Sequence, residues 1–274
     1  TLTEETFERL SSFLPWEKIY VVTISENYKE ILIKQVPKLF RKNIIIEPMR
    51  RDSAIAHGIG AIVIGSKDPD AVILNSAVDH LIEPISKYQD SQLVAAEIAY
   101  MGDWLVAVGL EPTYPSTGYG YLKRGKRFKL IQHRVIYKLD RFDEKPPISI
   151  AKRFIASGKY FWNANQYVWR ADTILRAITR YAPQIGQGLE EIAEHLGKSD
   201  ESEAIKKVYN SLPTISIDYA VSERAENFLL VPASYRWSDI GNWNEVWKDL
   251  PHDVNGNVII DGDEPGGRMI NIDT

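Results

Sequence analysis

The chain has 274 residues, enough for a substantial core and one or two domains. Hydrophobic residues make up 44% and charged residues 26%, and the formal net charge of −4 excludes a global basic field for nucleic acid while leaving a local phosphate-binding patch open. The absence of cysteine excludes disulfides, thiolate zinc sites and cysteine nucleophiles, and no apolar stretch approaches the ~20 residues of a membrane-spanning helix.

Thr1-Leu2-Thr3-Glu4-Glu5-Thr6 reads as the first turn of a helix, with Thr3 as its N-cap and two acids where the helix dipole favours them. It carries neither an initiator methionine nor a signal-peptide pattern, and a domain starting mid-architecture predicts an upstream segment. Residues 18–24 form a β-rich apolar run. A helix is predicted over 27–36, stopped by Pro37. Residues 43–46 read as a strand halted by Glu47-Pro48, and Asp52 caps a helix that carries Ile55, Ile59, Ile62 and Val63 on one face. Further strands are predicted over 71–74 and 104–108, with a helix over 90–101 between them. Near-continuous apolar strands alternating with helices predict an α/β, Rossmann-like fold, a mostly parallel mixed sheet with helices on both faces. Ligands in such sheets sit beyond the carboxyl ends of strands, where Asp79 falls. The second half is more mixed: strands over 119–124, 135–139 and 160–169, a helix over 148–157, and helices between 172 and 210. The tail reads as a turn and a short strand over 255–262, then a run of turn formers to Gly267.

Four segments carry candidate chemistry. In Asn75-Ser76-Ala77-Val78-Asp79-His80, the strand-end carboxylate suits Mg²⁺, which takes one or two carboxylates plus phosphate oxygens; it equally reads as a loop aspartate capping a turn. No second histidine lies at metal spacing, so His80 reads as a packing or hydrogen-bonding residue. Thr117-Gly118-Tyr119-Gly120-Tyr121 offers two glycines that let backbone N–H groups approach a ligand, or a plain turn. In Phe142-Asp143-Glu144-Lys145-Pro146, lysine can neutralise a phosphate and glutamate can bond sugar hydroxyls, or the two form a surface ion pair. Trp237-Ser238-Asp239-Ile240-Gly241-Asn242-Trp243 holds an aspartate between tryptophans, either a second metal ligand or a Trp-anchored turn. Two further segments add to these. The aromatic and amide residues between Tyr160 and Trp169 make a sugar-binding face or a core strand, and the helix N-terminus at Asp52 faces a base or phosphate or is simply capped.

Taken in order, these segments resemble the sugar nucleotidyltransferases, most closely the mannose-1-phosphate guanylyltransferases. The resemblance rests on Asp79-His80, Thr117-Gly118-Tyr119-Gly120-Tyr121, Glu144-Lys145-Pro146, Trp162-Asn163, Ser216-Ile217-Asp218-Tyr219-Ala220-Val221 and Trp237-Ser238-Asp239-Ile240-Gly241, and covers the chain to about Leu250. It implies a cytoplasmic, Mg²⁺-dependent enzyme, a catalytic domain over 1–250 and a tail or further β segment over 251–274. Its substrates would be GTP and mannose-1-phosphate, with no nucleic acid or membrane partner, and a homodimer is compatible with it. Asp79 and Asp239 would bind the metal, and Lys145 the sugar phosphate. Glu144 and Asn163 would take the mannose hydroxyls, Tyr119 and Gly120 would line the sugar side, and Asp218 would build the pocket floor. Arg51, Asp52 and Ser53 would approach the guanosine. The family's first strand and glycine-rich loop, with its arginine and lysine, would precede Thr1. Where the family has Ser-Gly-Met-Phe, this chain has Ala164-Asn165-Gln166-Tyr167, which re-shapes the sugar pocket; Ser76-Ala77-Val78 replaces a proline usual before the Asp-His pair. The rival readings are a UDP- or dTDP-sugar pyrophosphorylase and a non-catalytic sugar-nucleotide-binding subunit. A glycosyltransferase fits less well, because Asp68-Pro69-Asp70 precedes its strand.

Overall fold

The structure, a computed structural model, describes residues 1–241, 247, 252, 253, 258–260 and 268–270. Helix α1 (Leu2–Ser11) leads to strand β1 (Val21–Thr23), α2 (Glu26–Gln35) and β2 (Ile44–Ile46). Then follow α3 (Ser53–Gly65), β3 (Val72–Leu74), β4 (Leu81–Glu83), α4 (Ile85–Tyr100) and β5 (Leu105–Leu110). A long hairpin, β6 (Gly120–Ile131) and β7 (Arg134–Asp143), precedes α5 (Ile148–Ser157) and β8 (Tyr160–Arg170). Three helices, α6 (Ala171–Tyr181), α7 (Pro183–His195) and α8 (Glu201–Ser211), lead to β9 (Phe228–Ala233) and β10 (Arg236–Ser238). The short β11 (Val258–Ile260) and β12 (Arg268–Ile270) pair antiparallel. The turn-rich run 261–267 lies outside the described residues.

The expected α/β architecture is present, with a different balance of strand directions. The six-stranded sheet has the order β3-β8-β5-β9-β7-β6, and within it only β5–β9 is parallel. The other parallel pair, β1–β2, stands in its own ladder. The expectation of mostly parallel pairing came from the βα alternation of the first half. The second half reverses direction through the β6–β7 hairpin and through β8, which runs antiparallel to β3, β5 and β6. No helical crossover separates β6 from β7, so their ladder is antiparallel by construction.

Strand β5 shows why this sheet is covered on both faces. Leu105 and Ala107 pack in one core with α3, α6 and α7, whereas Val106, Val108 and Leu110 pack in the other with α4 and α5. Successive side chains of a strand point to opposite faces, so an unbroken apolar run is the signature of burial on both sides. A third, smaller core joins Phe7 of α1 to Val21, Val36, Leu39 and Ile44. Each fully buried side chain of this size contributes roughly 1.5–3 kcal/mol of transfer free energy.

Local details refine the sequence reading. Thr1, not Thr3, caps α1: its hydroxyl accepts from the Glu4 N–H, and the Glu4 carboxylate reaches back, a reciprocal pair that Thr3 cannot make. Asp52 caps α3 as expected, accepting from the Ser53 N–H at 2.7 Å. Helix α4 starts at Ile85, directly after Pro84, rather than at Asp90. Strands β4, β9, β10 and β12 are not among the elements the sequence predicts.

Candidate active site

The β4–β10 ladder brings the two candidate metal aspartates together. Leu81 pairs with Ser238, so Asp239, one residue beyond that pair, comes level with His80 and the Asp79 step. The 160-residue separation in sequence (239 − 79) is thus closed by a three-residue ladder. His80 is buried at the joint. Its Nδ1 accepts from Trp237 Nε1 at 3.1 Å, the rings meet edge-on at 5.3 Å, and its Nε2 lies 3.9 Å from an Asp79 oxygen. Burial lowers the His80 pKa, and both aspartates oppose that shift. His80 is thus a packing and hydrogen-bonding residue, as its sequence context suggested.

The Asp79 side chain is 72% exposed. Asp239 Oδ1 accepts from the Tyr119 hydroxyl and from the Gly241 N–H, each at 3.2 Å. Among the described residues no lysine or arginine forms an ion pair with either carboxylate. Two hard, oxygen-donor carboxylates without a cationic partner fit a divalent ion that completes its shell from water and phosphate. No cluster of three or more His, Asp or Glu side chains that could hold a metal ion occurs among the described residues. Trp243, the far tryptophan of this motif, lies outside the described residues.

The second centre begins one residue away. Tyr119 reaches Asp239, and the next residue, Gly120, pairs with Asn163 across β6–β8. A Cβ on Gly120 would lie 2.6 Å from Glu144 Oε2 and 3.1 Å from the Phe142 ring, so glycine is what lets Glu144 approach. Lys145 is exposed, holds φ = 44° and sets its Nζ 3.5 Å from Glu144 Oε1. A left-handed non-glycine residue directly before proline is sparsely populated backbone, and such positions cluster at ligand sites. Burial pushes the Glu144 carboxyl up, and the nearby Asp218 charge pushes it further, against Lys145.

Asn163, Tyr167 and Asp218 meet through a bulge in β8. Ala107 pairs with Tyr167 but Gly109 pairs with Asn163, so β8 spends more residues than β5 over this stretch. The excess is accommodated at Asn165, which adopts φ = 54° and donates its N–H to Asn163 Oδ1 at 3.2 Å. Bulges re-aim side chains, and this one brings Asn163 Nδ2 within 3.0 Å of the Tyr167 hydroxyl. Both donate to Asp218 Oδ1, at 3.1 and 2.5 Å. Burial drives the Tyr167 pKa well above its ordinary value, and the Asp218 charge adds to this, so Tyr167 stays a donor. Asp218 opens a π-helical turn over Asp218–Ser222. Tyr167 was read from sequence only as part of an aromatic strand; the asparagine in an otherwise strand-forming run was the available sign of the bulge.

Arg51, Asp52 and Ser53 sit against the segment leading into Asp218. Arg51 donates to the carbonyls of Tyr209 and Asn210 at the end of α8, and the Ser53 hydroxyl accepts from the Ile217 N–H at 2.9 Å. Sequence reasoning quoted Asn75 in the Asp79 motif without a role and missed His57; together they fix the start of the Asp79 loop. His57 Nδ1 is 2.8 Å from Asn75 Oδ1, and Asn75 donates twice to the Tyr167 carbonyl. A cleft of about 540 Å³, lined in part by Tyr114, Trp162, Trp237 and Ser238, adjoins the aromatic wall beside Asp239.

The sequence profile of the nucleotidyl transferases matches residues 1–255. The chain belongs to that family. It is 32% identical over 262 residues, 94% of its length, to a mannose-1-phosphate guanylyltransferase homologue from Vibrio cholerae, and 31% identical over 262 residues to the mannose-1-phosphate guanylyltransferase of Klebsiella pneumoniae. It covers 54% and 55% of those proteins, so the chain spans about half the length of the relatives it matches. Among solved structures of this fold, one described as a mannose-1-phosphate geranyltransferase from Thermus thermophilus superposes with a TM-score of 0.79 at 29% identity, covering 92% of this chain and 71% of that one. A Helicobacter pylori structure described as mannose-6-phosphate isomerase shares the fold at a TM-score of 0.69 and 22% identity, covering 87% of this chain and 90% of that one.

Proposed function

We propose that this chain is the catalytic region of a mannose-1-phosphate guanylyltransferase, forming GDP-mannose and pyrophosphate from GTP and mannose-1-phosphate. The observation that carries the reading is the two-centre geometry. Two carboxylates with no cationic partner among the described residues and a Glu-Lys-Asn-Asp sugar-phosphate group are joined by the single step Tyr119–Gly120. The relatives named as guanylyltransferases support the same choice of substrates.

In this reading a phosphate oxygen of mannose-1-phosphate attacks the α-phosphorus of GTP in line. A new P–O bond forms as the bond to the β-phosphate bridge breaks, and pyrophosphate carries away the leaving electron pair. No covalent enzyme intermediate is needed. Catalysis is then positioning and charge neutralisation. Asp79 and Asp239 hold Mg²⁺, which when bound neutralises phosphate charge. The Tyr119 hydroxyl orients Asp239. Lys145 holds the sugar phosphate as a point charge, and the Glu144 carboxylate accepts from mannose hydroxyls. Asn163 spends its amide on Asp218 and Tyr167, and so shapes the sugar pocket with Asp218 as its floor. Arg51, Asp52 and Ser53 serve the nucleotide side by fixing the wall at 215–217. In this reading the domain runs to about residue 250 and the enzyme is cytoplasmic, with a homodimer compatible with it.

The test is pyrophosphate release by the full-length protein with Mg²⁺, mannose-1-phosphate and each nucleoside triphosphate in turn. Release with GTP supports the reading. Release with UTP or dTTP and another sugar phosphate would move the protein to a different pyrophosphorylase, and no release from folded protein would make it a binding subunit.

A further inference from the structure

We propose that Thr6 and Arg9 of α1 are positioning residues for Asp79, gripping the metal loop from beneath. Arg9 is 2% exposed, and among the described residues no carboxylate forms an ion pair with it. A buried charge without a partner is costly, so its hydrogen bonds must be what retain it. Its guanidinium lies over the Tyr88 ring at 5.3 Å. One nitrogen donates to the Thr6 hydroxyl at 2.8 Å, and another approaches the His80 carbonyl at 3.5 Å. The Thr6 hydroxyl in turn donates to the Val78 carbonyl at 3.2 Å. The two gripped carbonyls belong to the residues on either side of Asp79. Holding the 78–79 peptide plane just before Asp79 and the 80–81 plane one residue beyond it restrains the backbone from which the Asp79 side chain leaves.

The grip continues into the second ligand. His80 accepts from Trp237 two residues before Asp239, so Thr6, Arg9, the 78–80 loop, Trp237 and Asp239 form one connected scaffold. Groups that orient metal ligands from behind typically change metal affinity by 10–100-fold when lost. The inference rests on Asp79 being a metal ligand, as proposed above.

The experiment is Mn²⁺ binding, read by electron paramagnetic resonance on the full-length protein with saturating GDP-mannose, for wild type, Thr6→Val, Thr6→Ser, Arg9→Lys, the Thr6→Val/Arg9→Lys pair and Asp79→Asn. Arg9→Lys keeps the charge but loses the forked grip, and Thr6→Val keeps the shape but loses the hydroxyl. Both should weaken Mn²⁺ about 10-fold with the folded state retained at the assay temperature by circular dichroism, and Thr6→Ser should bind as wild type. The paired variant should lose less than the product of the single effects, because the two side chains share a hydrogen bond. Wild-type affinity in both Thr6→Val and Arg9→Lys, with binding lost in Asp79→Asn, overturns the inference and leaves the functional reading intact. Wild-type affinity in Asp79→Asn overturns the metal assignment first, and the inference with it.

Discussion

Asp79 and Asp239 look alike in sequence, each an isolated carboxylate near an aromatic or histidine, but they are held differently. Asp79 is exposed and supported through its backbone, whereas Asp239 is oriented through its own oxygens by Tyr119 and Gly241. Replacing either with asparagine keeps the shape and removes the charge. Each is expected to lower turnover by about 100-fold or more with the fold retained, checked by steady-state kinetics and circular dichroism. Glu144 supplies a pH test. Its pKa lies above the ordinary carboxylate value because of burial and the Asp218 charge, so it protonates at higher pH than a surface glutamate. Asp218→Asn removes that negative neighbour and lowers the Glu144 pKa. The acid limb of kcat/KM for the sugar phosphate should therefore move to lower pH, as a pH–rate profile would show; an unmoved limb would assign it to another group.

At the scale of single elements, the bulge in β8 shows both what sequence reveals and where it stops. Asn163 and Asp218 were visible as motif residues, and Asn165 as an asparagine where the family resemblance implies glycine. The φ of 54° explains that exchange: asparagine tolerates the left-handed region better than other side chains. Tyr167 was not legible as a site residue, because a regular strand would keep positions four apart too distant to share one carboxylate oxygen. Asn165→Gly should leave stability within ~0.5 kcal/mol, and Asn165→Val should cost ~1–2 kcal/mol, measured by urea unfolding. At the start of α3, Asp52→Ala should cost ~1 kcal/mol through the lost cap, and Asp52→Asn should be nearly neutral. The helices at 27–36, 148–157 and 172–210 were legible because apolar spacing, proline stops and the Gly158 terminus act locally. Strands β4 and β10 were not, since each is three residues long and exists only through the other.

For the whole molecule, the sheet separates two apolar cores, and the candidate site sits where β6, β8 and the β4–β10 ladder converge. The α/β class was readable from apolar runs alternating with helices. Strand direction was not, because one-dimensional hydropathy records burial on both faces but not which neighbour a strand takes. Global stability should carry a signature at low pH. Burial raises the Asp172 pKa, but hydrogen bonds from Arg170 and Arg176 outweigh it and hold the group at about 2, below its ordinary 3.8. That stabilisation is present above the ordinary value and is lost as pH falls toward the folded one. Asp172→Asn should therefore flatten the acid side of the stability curve, measured by urea midpoints at successive pH values.

The proposed activity is guanylyl transfer at a site built on Asp79 and Asp239. Its most direct test is pyrophosphate release from GTP, Mg²⁺ and mannose-1-phosphate by the full-length wild-type protein and its Asp239→Asn variant. The wild type should release pyrophosphate, and the variant should lose about 100-fold or more of that rate. No release from the folded wild type, or equal release from both, would contradict it.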